Sequence, residues 1–131
     1  MSAEVDTVRS VEVPTRMVHG PGALARLGEL QRELGIARPL LVTDKGVAAA
    51  GLVDGALEQL DGAVLFDGVR PNPDLELVGE GSAAYREAGC DGLVALGGGS
   101  SIDAAKAIGV EVVQGGPIRG VPPTLNLICR S

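Results

Sequence analysis

A run of three glycines and two serines, Gly97 to Ser101, is the segment best suited to chemistry. It follows the apolar stretch Gly92–Leu96, which is typical of a buried strand, and it precedes residues 102–113, whose pattern predicts a helix. Glycines have no Cβ, so a phosphate oxygen can approach the backbone, and the start of a helix offers unpaired N–H groups and the positive end of the dipole. The segment therefore predicts an anion site; the alternative is a turn without a ligand.

Polar side chains after the glycines could support such a site. Ser100 could cap the helix or bind a phosphate, and Asp103, three residues later, could complete a capping arrangement with it. Lys106 could pair with Asp103 on the helix surface or contact a phosphate, and both interpretations stay open. The spacing is neither Gly-x-Gly-x-x-Gly nor a P-loop, so neither common nucleotide motif is present.

Asp44 is the second candidate binding residue. It ends the apolar run Pro39–Thr43, whose length and composition suit a strand buried on both faces. A carboxylate at the carboxyl end of a parallel strand can accept hydrogen bonds from the 2′- and 3′-hydroxyls of an adenosine ribose. It would repel a 2′-phosphate, which favours NAD over NADP. The alternative is a solvated aspartate at a strand end.

The elements that must position these residues alternate along the chain. Further strands are predicted at 11–18 and at 63–66, the latter as a buried strand, and one could begin at Leu125. Leucines at helical spacing predict a helix ended by Gly35, a second helical face spans 53–60, and Asp74 could cap a third helix. The inner stripe of that third helix is predicted to be Leu75, Val78, Ser82 and Tyr85. The order predicts an α/β fold, a parallel sheet with right-handed crossovers.

Composition limits the classes of partner. A chain of 131 residues suits one domain, and its net charge of −6 argues against nucleic acid and anionic membranes as partners. No apolar run is long enough to span a membrane. Two cysteines without metal-site spacing and the single histidine His19 argue against a thiol nucleophile and favour a cytoplasmic protein with reduced thiols.

Four segments, in order, carry a family resemblance. GGGSSIDAAKAIG at 97–109 resembles the signature of the iron-containing alcohol dehydrogenases. PTRMVHGPGALARLGEL, LLVTDKGVAAAGL and FDGVRPNPDLELV, at 14–30, 40–52 and 66–78, match that family's order and spacing. The resemblance covers residues 11 to 113, so a dinucleotide-binding domain is expected over 1–113 and a truncated or divergent tail over 114–131.

The resemblance implies a Rossmann-like N-terminal domain, helices on both faces of its sheet, that binds NAD in preference to NADP. It assigns the coenzyme pyrophosphate to the glycine loop, the adenosine ribose to the strand-end acid and further contacts to the Pro-Asn-Pro turn and the motif aspartate. The implied cofactor-binding residues are Asp44, Asn72, Gly97, Gly98, Gly99, Ser100, Ser101 and Asp103. Lys106 matches a motif lysine that could be purely structural.

Full-length members of that family add a helical C-terminal domain, in which one Asp and three His hold iron or zinc. The metal polarises the alcohol and hydride passes to the nicotinamide. His19 falls outside the metal motif, so neither a catalytic residue nor a metal ligand is expected in this chain. Residues 121–131 do not continue the resemblance, and a truncation, a frameshifted end and an artificial boundary are all compatible with them.

Several functions follow as hypotheses. The first is the NAD-binding portion of an iron-type alcohol dehydrogenase acting on a small alcohol. For the isolated chain, a nucleotide-binding fragment without turnover is favoured, because no three-histidine site can form. Two further hypotheses are a relative of the glycerol dehydrogenases or dehydroquinate synthases and a purely structural α/β module. Apolar surface meant for a second domain predicts self-association.

Overall fold

One parallel β-sheet organises the fold. The computed structural model describes residues 15–19, 23–71, 74–114 and 125–129. The strands within them are β1 Thr15–His19, β2 Pro39–Asp44, β3 Val64–Val69, β4 Gly92–Leu96 and β5 Leu125–Cys129. They pair in the order β1-β5-β4-β2-β3, and every pairing is parallel. The strands predicted from the apolar runs are confirmed, including the one that begins at Leu125; Val11 and Val13 lie outside the described residues.

Helices connect the strands. Their bounds are α1 Leu27–Leu34, preceded by a 3₁₀ turn at Ala23–Arg26, α2 Lys45–Ala49, α3 Leu52–Gln59, α4 Leu75–Glu87 and α5 Gly99–Gln114. Gly35 ends α1 in the left-handed conformation at φ 70°, as the sequence predicts. The helical face predicted at 53–60 is confirmed as α3. No described helix is both long and apolar enough to cross a bilayer.

The two faces of the sheet carry separate hydrophobic clusters. Successive side chains of a strand point to opposite faces. Leu40 and Val42 therefore pack with α4 and α5, whereas Leu41 packs with α1 and α3. All three are fully buried. Helices thus cover both faces of a parallel sheet, which confirms the predicted fold class.

The inner face of α4 differs from the predicted stripe at its first position. Asp74 caps the helix, as predicted, and its Oδ1 accepts a hydrogen bond from the Leu77 N–H at 2.9 Å. Leu75 is 89% exposed, so its assignment to the inner stripe was wrong, and Leu77 is buried in its place. The reason is the helix phase: the capped first turn directs Leu75 outward, and Gly81 forms part of the buried face.

The third strand is less buried than its composition predicts. β3 lies at the edge of the sheet and pairs with β2. Most of its residues are only partly covered, and Leu65 is 40% exposed. The prediction of a buried strand at 63–66 was therefore wrong in its burial, because an apolar run does not reveal whether a second neighbour will cover the strand.

Candidate functional site

The sheet has a topological switch point between β2 and β4. These two strands are neighbours. The helices that follow β2 pack on the face of Leu41, and the helix that follows β4 packs on the face of Leu40. The helices that follow β2 and β4 therefore leave toward opposite faces of the sheet, and a crevice opens between the carboxyl ends of these strands. Ligands of open α/β sheets bind in such crevices. Asp44 ends β2 at this crevice, and Gly97 follows the last residue of β4.

The three glycines at this crevice are not equivalent. Gly97 is buried and has φ +133°, a backbone conformation that residues other than glycine rarely adopt. A Cβ on Gly97 would lie 3.2 Å from both Ser101 Oγ and Val47 Cγ2. Gly98 and Gly99 are exposed, and a Cβ on either would meet no atom within 4 Å. The first glycine thus makes the turn, and the next two leave its outer surface open.

The helix begins earlier than predicted. α5 starts at Gly99, and the Ile102 N–H donates to the Gly98 carbonyl at 3.1 Å. Gly98 therefore occupies the cap position, and Ser100 lies inside the first turn. The predicted capping arrangement of Ser100 with Asp103 was wrong, because that arrangement requires Ser100 to precede the helix. The first amides of this 16-residue helix still lack intrahelical acceptors.

The remaining polar residues of the motif lie apart from one another. Ser101 is fully buried, and its hydroxyl has no hydrogen-bond partner among the described residues. Asp103 and Lys106 are both exposed on α5, and no ion pair joins these two described side chains. Of the two interpretations left open for Lys106, the surface pair with Asp103 is therefore not the one seen among the described residues.

Asp44 is tied to the start of α2. Its Oδ1 accepts a hydrogen bond from the Val47 N–H at 2.8 Å and so caps that helix. Within the described ranges Oδ2 has no hydrogen-bond partner. Asp44 is half-buried and pairs in register with Val69 after an irregularity in the β2–β3 ladder. One carboxylate oxygen therefore holds the backbone while the other is available to a ligand.

Asp44 and Ser100 line one cleft. Its volume is about 330 Å³, and its walls come from the ends of β2 and β3 and from the start of α5. The lining residues are Asp44, Lys45, Gly46, Val69, Arg70, Pro71 and Ser100. Asp103 is not among them, and Asn72 lies outside the described residues. The structure thus brings Asp44 to the same cleft as Ser100, the residue that follows the three glycines.

The cleft also contains two cationic side chains, Lys45 and Arg70, that were not predicted from the sequence. Lys45 pairs with Asp67 at 3.3 Å, and Arg70 pairs with Asp74 at 3.2 Å. All four side chains are more than a third exposed, so these pairs are weak, and either cation can be recruited by an anion. The only sequence signal was the position of each cation directly after a strand.

Asp74 and Cys90, which are not among the residues that line the cleft, have shifted pKa values. The hydrogen bond from the Leu77 N–H lowers the pKa of Asp74 below its ordinary value of 3.8, and Arg70 acts in the same direction. Asp74 therefore carries its charge and holds both the start of α4 and Arg70 at neutral pH. Burial raises the pKa of the Cys90 thiol to about 11, which leaves it protonated and unsuited to act as a nucleophile.

Comparison with known proteins gives the family. The profile described as "Iron-containing alcohol dehydrogenase" matches residues 14–128, which is most of the chain. The chain belongs to the iron-containing alcohol dehydrogenase family. The matched range extends into β5, whereas the resemblance noted from the sequence motifs ends at residue 113.

Individual members of the iron-containing alcohol dehydrogenase family show the same relationship. The choline dehydrogenase of Bacillus subtilis (strain 168) is 50% identical over 111 residues, which cover 82% of this chain and 28% of that protein. A crystal structure of a 1,3-propanediol oxidoreductase has a TM-score of 0.75 at 34% identity, and the similarity covers 91% of this chain and 35% of that one. The NADH-dependent butanol dehydrogenase A of Thermotoga maritima has a TM-score of 0.72 at 25% identity, covering 89% and 33%. The chain therefore spans about a third or less of the length of these relatives.

The iron implied by the family name finds no site in the part of the chain that the structure describes. That part contains no group of three or more His, Cys, Asp or Glu side chains able to hold a metal ion. A dinucleotide fits better, since Gly98 and Gly99 leave open space in front of the first helical amides.

Proposed function

We propose that this chain binds NAD in the cleft at the switch point, as the coenzyme-binding part of an iron-type alcohol dehydrogenase. One observation carries the proposal: the strand-end carboxylate of Asp44 and Ser100, in the first turn of α5, line a single cleft, and the neighbouring Gly98 and Gly99 leave open space beside it. A dinucleotide presents ribose hydroxyls and a diphosphate close together, and a carboxylate and a helix N-terminus are the groups that bind them. The butanol dehydrogenase is named as NADH-dependent, which agrees with this coenzyme.

Each proposed contact has its own chemistry. The backbone of Gly97, Gly98 and Gly99 and the amide of Ser100 would surround the diphosphate, because their N–H groups lie at the positive end of α5. The free Oδ2 of Asp44 would accept hydrogen bonds from the adenosine ribose and repel the 2′-phosphate of NADP. Asn72 is proposed beside the coenzyme.

Ser101 and Asp103 take less direct parts in the proposal. Ser101 is fully buried beneath Gly97, so its contribution would be to the shape of the turn. Asp103 is exposed outside the lining of the cleft, so its contribution would be charge at the rim.

The reaction proposed for the whole enzyme is the oxidation of a small alcohol to an aldehyde or ketone. The bound coenzyme supplies the hydride acceptor. The residues of this chain hold and orient that coenzyme, and no metal-dependent step is assigned to them. The relatives are named for choline, propanediol and butanol, so the substrate class is a short alcohol. The cytoplasm is the proposed compartment, which suits the free thiol of Cys90.

Nucleotide binding without turnover is the second candidate for the chain by itself. It is favoured by the absence of a metal-binding cluster among the described residues. Mixing the purified chain with NAD, a short alcohol and Fe(II) or Zn(II) separates the two candidates. Metal-dependent NADH formation would contradict binding without turnover, and a flat absorbance trace alongside measurable NAD binding would support it.

Calorimetric titration with NAD and NADP tests the binding proposal. We expect the wild-type chain to bind NAD more tightly than NADP. Asp44→Asn should lower this preference roughly tenfold, about 1.4 kcal/mol, because the amide oxygen still caps α2 but the negative charge is lost. Asp54→Asn is the matched control, since it makes the same charge change at an exposed position of α3. Undetectable binding of both coenzymes by folded wild-type chain would refute the proposal.

A further inference from the structure

A buried side-chain hydrogen bond closes the floor of the switch-point crevice. The backbone register between β2 and β4 runs from Pro39↔Gly92 to Val42↔Ala95. One residue further, the Thr43 hydroxyl donates to the Leu96 carbonyl at 2.7 Å. Thr43 is fully buried and Leu96 is 1% exposed, so this bond is shielded from water. The side chain thus continues the connection between the strands beyond their paired residues.

This bond lies where the strands begin to separate. The β2–β3 ladder shifts register between Val42 and Asp44, so Thr43 itself sits at the irregularity. Directly after it comes Asp44, and directly after Leu96 comes Gly97 with φ +133°. A single hydrogen bond therefore joins the last residue before the acid to the last residue before the glycine turn.

We propose that Thr43 is a positioning residue for the coenzyme, and that its hydroxyl sets the separation between Asp44 and the glycine turn. The inference rests on the proposed function. A dinucleotide joins its adenosine ribose to its diphosphate covalently, so both contacts form together only when the protein groups stand at the matching distance. Thr43 holds that distance through a short bond in a site without competing water.

A threonine whose hydroxyl contributed only to the stability of the core would behave differently. Removing its hydroxyl would lower stability and leave the affinity of the folded chain for nucleotide unchanged. Positioning instead requires that the effect of Thr43 on affinity depends on Asp44, because the acid is one of the two groups being held apart. A double-mutant cycle measures this dependence.

The test is calorimetric titration of the full chain with NAD, below the unfolding temperature of every variant. We expect Thr43→Val to weaken NAD binding about tenfold and Thr43→Ser, which keeps the hydroxyl, to bind within about twofold of wild type. In the background of Asp44→Ser, which keeps a capping oxygen for α2 but loses the carboxylate, Thr43→Val should change affinity less than about twofold. If Thr43→Val does not fold, Thr43→Ala replaces it with the same expected loss.

Val112→Ala is the matched control. Val112 is buried near the end of α5, far along the helix from the glycine loop, and its truncation lowers stability without touching the crevice. Its affinity for NAD should equal that of wild type. Equal affinities of wild type and the hydroxyl-deleted variant, or an undiminished effect in Asp44→Ser, would overturn the positioning role while the proposed function stood. Failure of the wild-type chain to bind NAD would instead refute the proposed function itself.

Discussion

At the scale of single residues, adjacent glycines in the turn serve different physical needs. Gly97 is required by the backbone, because its φ is +133° and Ser101 and Val47 crowd the place where a Cβ would lie. Gly98 has open space there. The fold therefore does not require a glycine at this position, and under the proposed function the missing side chain leaves space for the ligand. Three identical letters in a sequence do not reveal this distinction.

Alanine at these two positions should separate stability from binding. We expect Gly97→Ala to lower the free energy of unfolding by about 1–3 kcal/mol, through backbone strain and the two 3.2 Å contacts. Gly98→Ala should leave it within about 0.5 kcal/mol and weaken NAD binding about tenfold, because the methyl group takes the place of a phosphate oxygen. Urea denaturation and calorimetry measure the two effects. The reverse outcome, with Gly98→Ala unstable and Gly97→Ala unaffected, would contradict these separate roles in the turn.

Residue types and order were enough to predict that Asp44 and the start of α5 would lie at the same edge of the sheet. Asp44 and Ser100 line the same cleft, because the carboxyl ends of parallel strands share one edge of the sheet. Thr43, Lys45 and Arg70 were not predicted. Their roles depend on which strand lies beside which, and a buried threonine in an apolar run carries no sign of the carbonyl that it will meet.

At the scale of elements, the contact between α4 and α5 depends on a glycine. Gly81 faces α5, and a Cβ there would press on Ile108 Cδ1 and lie 2.8 Å from its Cγ1. Ile108 is fully buried and has little room to move. Close approach of these helices holds α5 against the sheet, and α5 carries the glycine turn at its start.

Two glycines in α4 allow a matched comparison. We expect Gly81→Ala to destabilise the chain by about 1–3 kcal/mol through overpacking against Ile108. Gly79→Ala should instead stabilise it by up to about 1 kcal/mol, because Gly79 is exposed with no atom within 4 Å of the added methyl, and alanine is the better helix former. Thermal and urea unfolding measure both changes, and equal effects of the two substitutions would refute the proposed helix contact.

At the scale of the whole molecule, β3 is an edge strand of the sheet that the described residues form. Among the described residues the large exposed hydrophobics are Leu65, on that edge strand, and Leu75, at the start of α4. An edge strand presents unpaired backbone groups to another chain. An apolar side chain on it favours such pairing.

The isolated chain is therefore expected to self-associate as concentration rises. Leu65→Lys should shift the association to higher concentration, because a charge on an edge strand opposes edge-to-edge pairing. Leu75→Lys is the control, since it removes an exposed leucine away from the edge. Light scattering across a concentration series is the measurement. A monomer at the highest concentration would contradict the expectation. If Leu75→Lys shifted the association more than Leu65→Lys, the contact would have to lie elsewhere than on β3.

The sequence by itself determined the α/β class, the order of the strands and of the helices α1, α3, α4 and α5, the family and the two segments that meet at the cleft. These features follow from local signals. Apolar runs, helical spacing, glycines and capping residues influence the structure of residues within a few positions of them in the chain. Only the tertiary structure decided that β3 is an edge, that Leu75 faces outward, that α5 begins at Gly99 and that Thr43 bonds Leu96. Those outcomes depend on which elements become neighbours, and residues 53 apart in the chain acquire a shared hydrogen bond only when the sheet has formed.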